Sequence, residues 1–284
     1  MSLADRMKQY EAAFEFTLPT SSPTILRLDG HAFSSFTAQP HFRRPFDQRI
    51  HDAMIATCSD LLDFFPRATV AYTQSDEITL IFPDGVQLFN ERVQKLSSLA
   101  ASYCSVRFNL HLAASNATGG SSGGAGPLFE TAHFDARFFT VPSVDEALNC
   151  LLWRCRGDAV RNSVNTFART LFDQSQMHRK SSKELIEMMR KEKKVIYEEA
   201  VPKWAIEGCL VKRELYEHEG TNPMTGQREQ AMRSRTRVEE RGPRGFSDEN
   251  LKLVTQRYWN DFDGGYTSQG NLYLQTNGSQ RIWI

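Results

Sequence analysis

Two aspartates stand where short apolar runs begin or end, and their positions suggest a chemical role. Asp29 lies at the end of the run Ile25–Gly30, and Asp76 directly precedes the run Glu77–Leu80. Both runs are rich in apolar and β-branched residues, which indicates strands with an acid at one end or at a hairpin turn. If the strands are neighbours, both carboxylates reach one hard divalent cation such as Mg²⁺, which takes oxygen ligands and keeps waters or phosphates in its other positions. Such a site serves phosphoryl or nucleotidyl transfer.

The same residues also have a purely structural interpretation. Asp-Gly is one of the commonest turn dipeptides, and Ser75-Asp76-Glu77 has ordinary loop composition. The catalytic interpretation therefore depends on the two strands flanking one helix in a single sheet.

The composition is that of an ordinary globular protein. The chain has 284 residues, of which 40% are hydrophobic and 24% charged, and 34 basic residues balance 34 acidic ones. A nucleic-acid partner must therefore be met by local basic patches. The five cysteines are scattered without a Cys-x-x-Cys pair, which argues against a disulfide framework or zinc ribbon and favours a reducing compartment. Without an apolar run of spanning length or a signal peptide, we expect a cytoplasmic or nuclear protein with no membrane partner.

Hydrophobic periodicity predicts the elements around the two acids. Apolar residues recur at helical spacing over Asp47–Phe65 and Leu88–Leu112. Thr69–Tyr72 and Glu77–Phe82 form a hairpin, and His133–Val141 is a further strand. With the strand that ends at Asp29, the order is strand, helix, strand, strand, helix, strand. This is the split βαβ, ferredoxin-like arrangement, so the predicted fold class is α+β, with an antiparallel palm-like sheet and helices packed on it.

Three regions are expected along the chain. Residues 1–142 form the palm core, which opens with a helix over Ser2–Phe16 and carries a Gly/Ser-rich surface insertion at 117–126. Residues 143–262 add helices and strands that complete the fold, and residues 263–284 are a flexible polar tail. Within the second region we predict a helix from the Ser143 capping box past Phe172, helices at Ser182–Met189 and Ser247–Arg257, and strands at Ile206–Arg213 and Gln230–Val238.

Seven short motifs, in this order and spacing, resemble the tRNA-His guanylyltransferase family, including its relatives that repair tRNA 5′ ends. The resemblance covers about residues 7–238. The motifs are Arg27-Leu28-Asp29-Gly30, Arg44-Pro45-x-Asp47, Ala71–Glu77, Arg92-x-x-Lys95, Phe134-Asp135-x-Arg137, Trp153-Arg154 and Arg235-Thr236-Arg237.

The resemblance implies an enzyme that adds nucleotides in the 3′-to-5′ direction to the 5′ end of tRNA. The tRNA 5′ monophosphate is first activated with ATP or GTP, and the 3′-hydroxyl of an incoming nucleotide then attacks the activated phosphate. It also implies a homo-oligomer, which we expect to be a tetramer. The region 143–262 is then expected to contact tRNA.

Site residues follow from the same resemblance. Asp29, Asp76 and the carbonyl of Gly30 are implied to bind two Mg²⁺ ions, with Glu77 supporting the two catalytic aspartates. The nucleotide is implied to contact Asp29, Gly30, His31, Ala32, Phe33, Ser34, Arg44, Asp47, Ser75, Asp76, Arg92 and Lys95, and the tRNA to contact Arg161, Asn162, Arg235 and Arg237.

Several of these residues keep a structural alternative. Glu77 is otherwise a solvated turn acid, Phe33 a core plug, and Asp47 a helix N-cap. Arg92 and Lys95 are otherwise a solvated helix face, and a salt bridge is the alternative for Arg161.

Two departures from the family pattern bear on specificity. The nucleotide loop reads His31-Ala32-Phe33-Ser34, where guanylyltransferases commonly have Arg or Lys first and His fourth. The tRNA-His-specific motif His-Ile-Asn-Asn is replaced by Ala159-Val160-Arg161-Asn162 followed by Ser163, which resembles the templated 5′-repair group. Dedicated G addition and templated repair therefore both stay open.

Two other function classes are weighed against this one. The first is a non-catalytic RNA-binding module, whose sheet usually displays stacked aromatic residues. The second is a palm-type transferase or cyclase that acts on free nucleotides. Asp29 and Asp76 disfavour the first because they repel phosphate unless a cation intervenes, and the basic C-terminal region argues mildly against the second.

Overall fold

The computed structural model describes residues 1–117, 131–221, 224, 226–259 and 272–274. The strands are Thr24–Gly30 (β1), Val70–Gln74 (β2), Glu77–Phe82 (β3), Phe134–Thr140 (β4), Cys209–Thr221 (β5), Arg228–Glu239 (β6) and Leu272–Leu274 (β7). The α-helices are Leu3–Ala12 (α1), Phe33–Phe36 (α2), Gln48–Phe64 (α3), Val93–Ala117 (α4), Val144–Leu152 (α5), Ala159–Ala168 (α6), Gln174–Met177 (α7), Ser182–Met188 (α8), Tyr197–Ala200 (α9), Lys203–Glu207 (α10) and Asp248–Thr255 (α11). A 3₁₀ turn spans Phe89–Glu91, and π-helical turns span Trp153–Asp158 and Met189–Lys193.

One sheet contains all seven described strands. Their order is β4-β1-β3-β2-β5-β6-β7, and every adjacent pair is antiparallel. The first four strands, with α3 and α4 between them, follow the predicted ferredoxin-like order, so the α+β prediction is confirmed. Strands β5, β6 and β7 extend the same sheet, so the region after residue 142 shares it with the palm.

Helices cover both faces of the palm sheet, because alternate residues of each strand enter different cores. Leu28 and Leu80 pack in a cluster with residues of α3 and α4, such as Leu61 and Leu96. Ile25 packs on the other face, in a cluster with residues of α5 and α11 (Leu148, Val254). Burial on both faces explains why β1 and β3 read as continuous apolar runs. Because helices cover both faces of the sheet, its polar side chains reach solvent at the ends of the strands.

A third cluster supports the C-terminal helices. It contains Val164 of α6, Leu185 of α8, Tyr197 of α9 and Ala205 of α10, all buried. The Tyr197 hydroxyl shares a 2.8 Å hydrogen bond with the hydroxyl of Ser163. These helices form a wall beside the edge of the palm that holds the two acids.

Three predicted helices have different boundaries in the structure. Helix α1 begins with the predicted Ser2 capping box but ends at Ala12, and none of its residues is buried. Helix α4 begins at Val93 rather than at Leu88, because Asn90 adopts a left-handed conformation with φ of 53°. The helix after Ser143 continues through a π-helical turn but ends at Ala168, so the prediction that it passes Phe172 is wrong.

The C-terminal strands also differ in extent. Ile206 lies in α10 rather than in a strand, and β5 continues to Thr221, well beyond Arg213. Residues 272–274 of the predicted tail pair with β6, whereas the other residues of 263–284 lie outside the described part. The Gly/Ser-rich insertion also falls outside it from residue 118 onward. Among the described helices, none combines the length and hydropathy that a membrane crossing requires.

Candidate active site

The two aspartates meet at one end of the palm sheet. Asp29 is directly opposite Glu77 in the β1–β3 ladder. In the β2–β3 ladder Gln74 pairs with Glu77, so Ser75 and Asp76 form the two-residue turn between these strands. Ser75 adopts a left-handed conformation with φ of 54°. The Gly30 N–H donates a 3.1 Å hydrogen bond to the carbonyl oxygen of Asp76, which ties the end of β1 to this turn.

The acids approach this edge from different faces. Strand alternation puts Asp29 on the face of Glu77. Asp76 lies on the other side, where a Cβ added to Gly30 comes within 2.9 Å of the Asp76 Cβ and 2.6 Å of the Phe33 ring. Asp29, Asp76 and the Gly30 carbonyl would hold a shared cation at this edge of the sheet. Glycine is required at this position because a side chain would displace Asp76 or Phe33.

The electrostatics of Asp76 favour a bound cation. Burial raises the pKa of its carboxyl, and the negative charge of Asp29 adds to the rise, whereas a hydrogen bond from Ser75 opposes it. The described residues contain no cluster of three or more His, Cys, Asp or Glu suited to a metal. The donor set is then two carboxylates and a backbone carbonyl, all hard oxygen ligands, which suits Mg²⁺ with waters or phosphates completing its shell.

Glu77 has a partner that the sequence did not reveal. The guanidinium of Arg154, 6% exposed, forms ion pairs with Glu77 and with Asp158. Burial lowers the pKa of Arg154, while the charges of Asp158 and Asp29 oppose that effect. Arg154 lies in the π-helical turn, and such turns are frequent at functional sites. It neutralises the acid that faces Asp29, so Glu77 is a paired residue rather than a solvated turn acid.

An open cleft of about 700 Å³ lies beside this edge. The palm contributes Gly30, Ser75 and Asp76, and the facing wall comes from α6 and Trp204. The other described lining residues include Ala32, Phe33, Ser34, Arg43, Arg44, Asp47, His51, Asn162, Asn165, Thr166 and Arg169. Most of the predicted nucleotide-binding residues are therefore brought to one cavity.

The loop after β1 shapes the floor of the cleft. Ala32, with φ of 49°, turns the chain into the short helix α2, while His31 and Ser34 are exposed. The Phe33 ring is buried and packs 5.8 Å from Phe108, measured between centroids. Phe33 is thus a core residue, the structural role weighed for it, although its helix lines the cleft.

Asp47 also has the structural role that we weighed for it. Its carboxylate caps α3 by accepting a 2.9 Å hydrogen bond from the Arg49 N–H, and it forms a 2.7 Å ion pair with the Arg49 guanidinium. These hydrogen bonds lower its pKa although burial opposes them. Arg44 donates to the Ala38 carbonyl and remains exposed. Asp47 therefore shapes the cleft without adding an uncompensated charge to it.

Arg92 and Lys95 are not brought to the cleft within one chain. Arg92 forms an isolated bridge with Thr17 and an ion pair with Glu15, and the Lys95 ammonium lies over the Phe89 ring. They belong to the end of the sheet at which Thr24 pairs with Phe82. At about 3.4 Å per residue, that end is some 17 Å from Asp29 along β1.

The predicted tRNA contacts separate into two groups. Asn162 lines the cleft. Arg161 next to it forms a 2.7 Å ion pair with Asp158, which is the salt bridge weighed as the alternative to an RNA contact. Arg235 and Arg237 both bind Glu214 across the β5–β6 ladder. Arg237 is buried, so the structure does not present it to an RNA, and Arg235 is half-buried.

Several cleft residues were not predicted. The His51 and Trp204 rings stack with centroids 4.1 Å apart, and burial lowers the pKa of His51 to about 4. Arg43 and Arg169 also line the cleft and carried no predicted role. The polar spacing Asn162-x-x-Asn165-Thr166-x-x-Arg169 is a signal that would have indicated one exposed helix face.

Comparisons with known proteins identify the family of this chain. A family model described as tRNAHis guanylyltransferase (Thg1) matches residues 4–142. An uncharacterised protein of Acanthamoeba polyphaga mimivirus is 37% identical over 75% of this chain and 77% of its own length. The tRNA(His) guanylyltransferase of Debaryomyces hansenii is 26% identical over 90% and 95%.

Two solved structures of a bacterial tRNA(His) guanylyltransferase-like protein are also similar. The complex with ATP has a TM-score of 0.65 and 30% identity over 74% of this chain and 88% of that chain. The complex with GTP has a TM-score of 0.63 and 27% identity over 92% and 99%.

A palm sheet with paired acids at its edge and an open cleft beside them defines a palm-type nucleotidyltransferase. The chain belongs to the tRNA-His guanylyltransferase family.

Proposed function

We propose that this enzyme adds nucleotides in the 3′-to-5′ direction to the 5′ end of tRNA, with ATP and GTP as substrates. The observation that carries the proposal is the placement of Asp29 and Asp76 at one sheet edge, where the charge of Asp29 acts on Asp76 and Asp76 lines the cleft. ATP and GTP are the ligands in the two similar structures.

The residues of this chain fit two Mg²⁺ ions held by Asp29, Asp76 and the Gly30 carbonyl. Bound there, Mg²⁺ supplies charge stabilisation for the attacking and leaving oxygens of an in-line displacement. Asp29 and Asp76 would hold these cations rather than the phosphates themselves, and Arg154 neutralises Glu77, the acid opposite Asp29. The exposed Arg44 of the cleft holds the nucleotide phosphates, since phosphoryl transfer depends mostly on positioning and charge neutralisation.

The test is transfer of a labelled nucleotide to a tRNA that lacks its first 5′ nucleotide. Asp29→Asn and Asp76→Asn keep side-chain volume but remove a negative charge, so we expect transfer to fall at least a hundredfold while thermal unfolding stays cooperative. Asp145→Asn, at an exposed position of α5, is the control and should leave transfer unchanged. Normal transfer by either active-site variant would refute the proposal.

Templated repair and dedicated G addition differ in their dependence on the template base. The replacement of His-Ile-Asn-Asn by Ala159–Asn162 supports repair. A tRNA-His with A73 or C73 is offered all four nucleotides. A repair enzyme follows base 73, whereas a dedicated guanylyltransferase adds G to both substrates.

The alternative of an RNA-recognition sheet finds no support in the described residues. Helices α3 and α4 cover one face of the palm sheet, and α5 and α11 cover the other, so neither face displays stacked aromatics. The alternative of a transferase or cyclase acting on free nucleotides is tested by omitting RNA, which we expect to abolish labelled product.

The assembly and the compartment belong to the same proposal. Arg92 and Lys95 lie far from the cleft of their own chain, so their predicted contact with a nucleotide requires another subunit, in keeping with the expected tetramer. Light scattering of the purified chain measures the assembly. All five cysteines are free thiols and four are buried, which supports a reducing compartment such as the cytoplasm.

A further inference from the structure

Helix α6 presents one polar stripe to the cleft. Asn162, Asn165, Thr166 and Arg169 follow the i, i+3, i+4, i+7 spacing of a single helix face, and all four line the cavity. The opposite face of the helix is buried through Val164 and Ala168 in the third core cluster. The orientation of the stripe is therefore fixed by packing, which keeps Arg169 at the cleft end of α6.

The cleft holds more positive than negative charge. Its lining arginines are Arg43, Arg44 and Arg169, and its lining acids are Asp47 and Asp76. Asp47 is already neutralised by Arg49, which lies 2.7 Å away. The remaining acid, Asp76, belongs to the proposed metal site. A ligand that balances the arginines must therefore be an anion.

Arg43 and Arg169 are the available cations, because the Arg44 guanidinium already donates to the Ala38 carbonyl oxygen. Both are exposed, and neither forms an ion pair with any acid in the part of the chain that the structure describes. Arg43 lies on the segment that leads into α3, and Arg169 lies on the facing α6 wall. A planar guanidinium with several donors suits the oxygens of a phosphate.

We propose that Arg43 and Arg169 form a phosphate-binding pair in the cleft, and that the RNA 5′-end phosphate is its ligand. The identity of this ligand rests on the proposed function. The proposal adds two binding residues that neither the family motifs nor the sequence indicated. The amide and hydroxyl groups of the α6 stripe, which precede Arg169, suit a ribose-phosphate chain. A nucleoside triphosphate offers the same phosphate chemistry, and the experiment separates the two sources.

The test measures equilibrium binding of the full chain to three probes. They are a tRNA lacking its first nucleotide with a 5′-monophosphate, the same tRNA with a 5′-hydroxyl, and ATP with Mg²⁺. The variants are Arg43→Gln and Arg169→Gln, with Arg67→Gln as a matched control. Arg67 is exposed and lies in the loop before β2, at the end of the sheet away from the cleft.

We expect each cleft variant to bind the 5′-phosphorylated tRNA about tenfold more weakly, the usual loss for a charge-assisted contact. The preference for 5′-phosphate over 5′-hydroxyl should shrink by a similar factor. The slope of log affinity against log salt should fall by about 0.7 to 0.9. Arg67→Gln should behave as wild type, and ATP binding should not change.

Weakened ATP binding with unchanged tRNA binding would overturn the assignment to RNA and give the pair to the triphosphate. Wild-type binding of all three probes by both variants would overturn the pair itself. If a Gln variant unfolds, Arg43→Lys and Arg169→Lys keep the charge but lose the bidentate geometry and should show a smaller loss. Binding requires no turnover, so a wild-type chain that prefers the 5′-phosphate but transfers nothing refutes the proposed function alone.

Discussion

The buried Arg154 forms an ion pair with the half-buried Glu77 at the edge of the sheet that holds Asp29 and Asp76. Glu77 is the residue opposite Asp29 in the β1–β3 ladder, and Arg154 comes from the π-helical turn that joins α5 to α6. This contact links the palm to the wall of the cleft. It also keeps the acid beside Asp29 from repelling a substrate phosphate.

Loss of Arg154 should destabilise the protein more than loss of an exposed arginine. Arg154→Met leaves the carboxylates of Glu77 and Asp158 without their shared cation, and removing one partner of a buried pair typically costs about 3 kcal/mol. Arg156→Met, on the exposed side of the same turn, is the matched control. Urea unfolding at neutral pH measures both, and equal midpoints would show that the pair contributes nothing.

Gly30→Ala should impair transfer without unfolding the chain. The added Cβ meets the Phe33 ring at 2.6 Å and the Asp76 Oδ2 at 3.0 Å, so one of these groups must move. A displacement of about 1 Å at a reacting centre can lower a rate about a hundredfold. Single-turnover transfer and a thermal melt report the two effects separately.

Gly245→Ala is the control for that substitution, because nothing lies within 4 Å of its added Cβ. Transfer by Gly30→Ala at the rate of Gly245→Ala would show that the close approach of Gly30 to Asp76 is not needed.

The palm and the meeting of its acids were accessible from the sequence because they depend on local patterns. Leu28 and Leu80 lie in continuous apolar runs, and two helical periods separate the strands, so one topology brings Asp29 to Asp76. The helical spacing of Arg92 and Lys95 showed a shared face but carried no information about which end of the sheet they reach. Their nearness to Thr17 and Glu15 depends on tertiary packing.

The ion pairs were inaccessible for a related reason. Arg237 lies in a basic segment of the sequence, yet its ion pairs with Glu214 of β5 and with Glu239 make it a buried partner. Arg154 lies in a π-helical turn, which hydrophobic periodicity does not report, and its contact with Glu77 depends on tertiary packing.

Stability should fall with pH below neutrality because of His51. Burial lowers the pKa of His51 from 6.5 to about 4, so the folded protein keeps this ring neutral while the unfolded chain protonates it. The contribution of His51 to the free energy of unfolding is complete above pH 6.5 and is lost as the pH falls towards 4. This loss amounts to at most about 3 kcal/mol. Urea unfolding at pH 7 and pH 4.5 measures the loss.

His51→Gln removes the titrating ring and should flatten this pH dependence, even if the loss of stacking on Trp204 lowers stability at pH 7. His178→Gln, which changes an exposed histidine, should retain the wild-type dependence. The same drop between pH 7 and pH 4.5 in His51→Gln and wild type would assign the acid sensitivity to other groups.

Lys212 of β5 should be far more costly to replace than an exposed lysine. Its fully buried ammonium donates to the carbonyls of Thr69, Leu253 and Gln256, so it ties β5 to the start of β2 and to the C-terminal end of α11. Lys212→Met keeps the chain length but leaves these carbonyls without that donor, and we expect a loss of about 3 kcal/mol. Lys252→Met, on the exposed side of α11, should cost almost nothing. Hydrogen exchange adds a local readout: the amides of α11 should lose protection in Lys212→Met before those of β1, and unchanged protection there would show that the ammonium does not hold this helix.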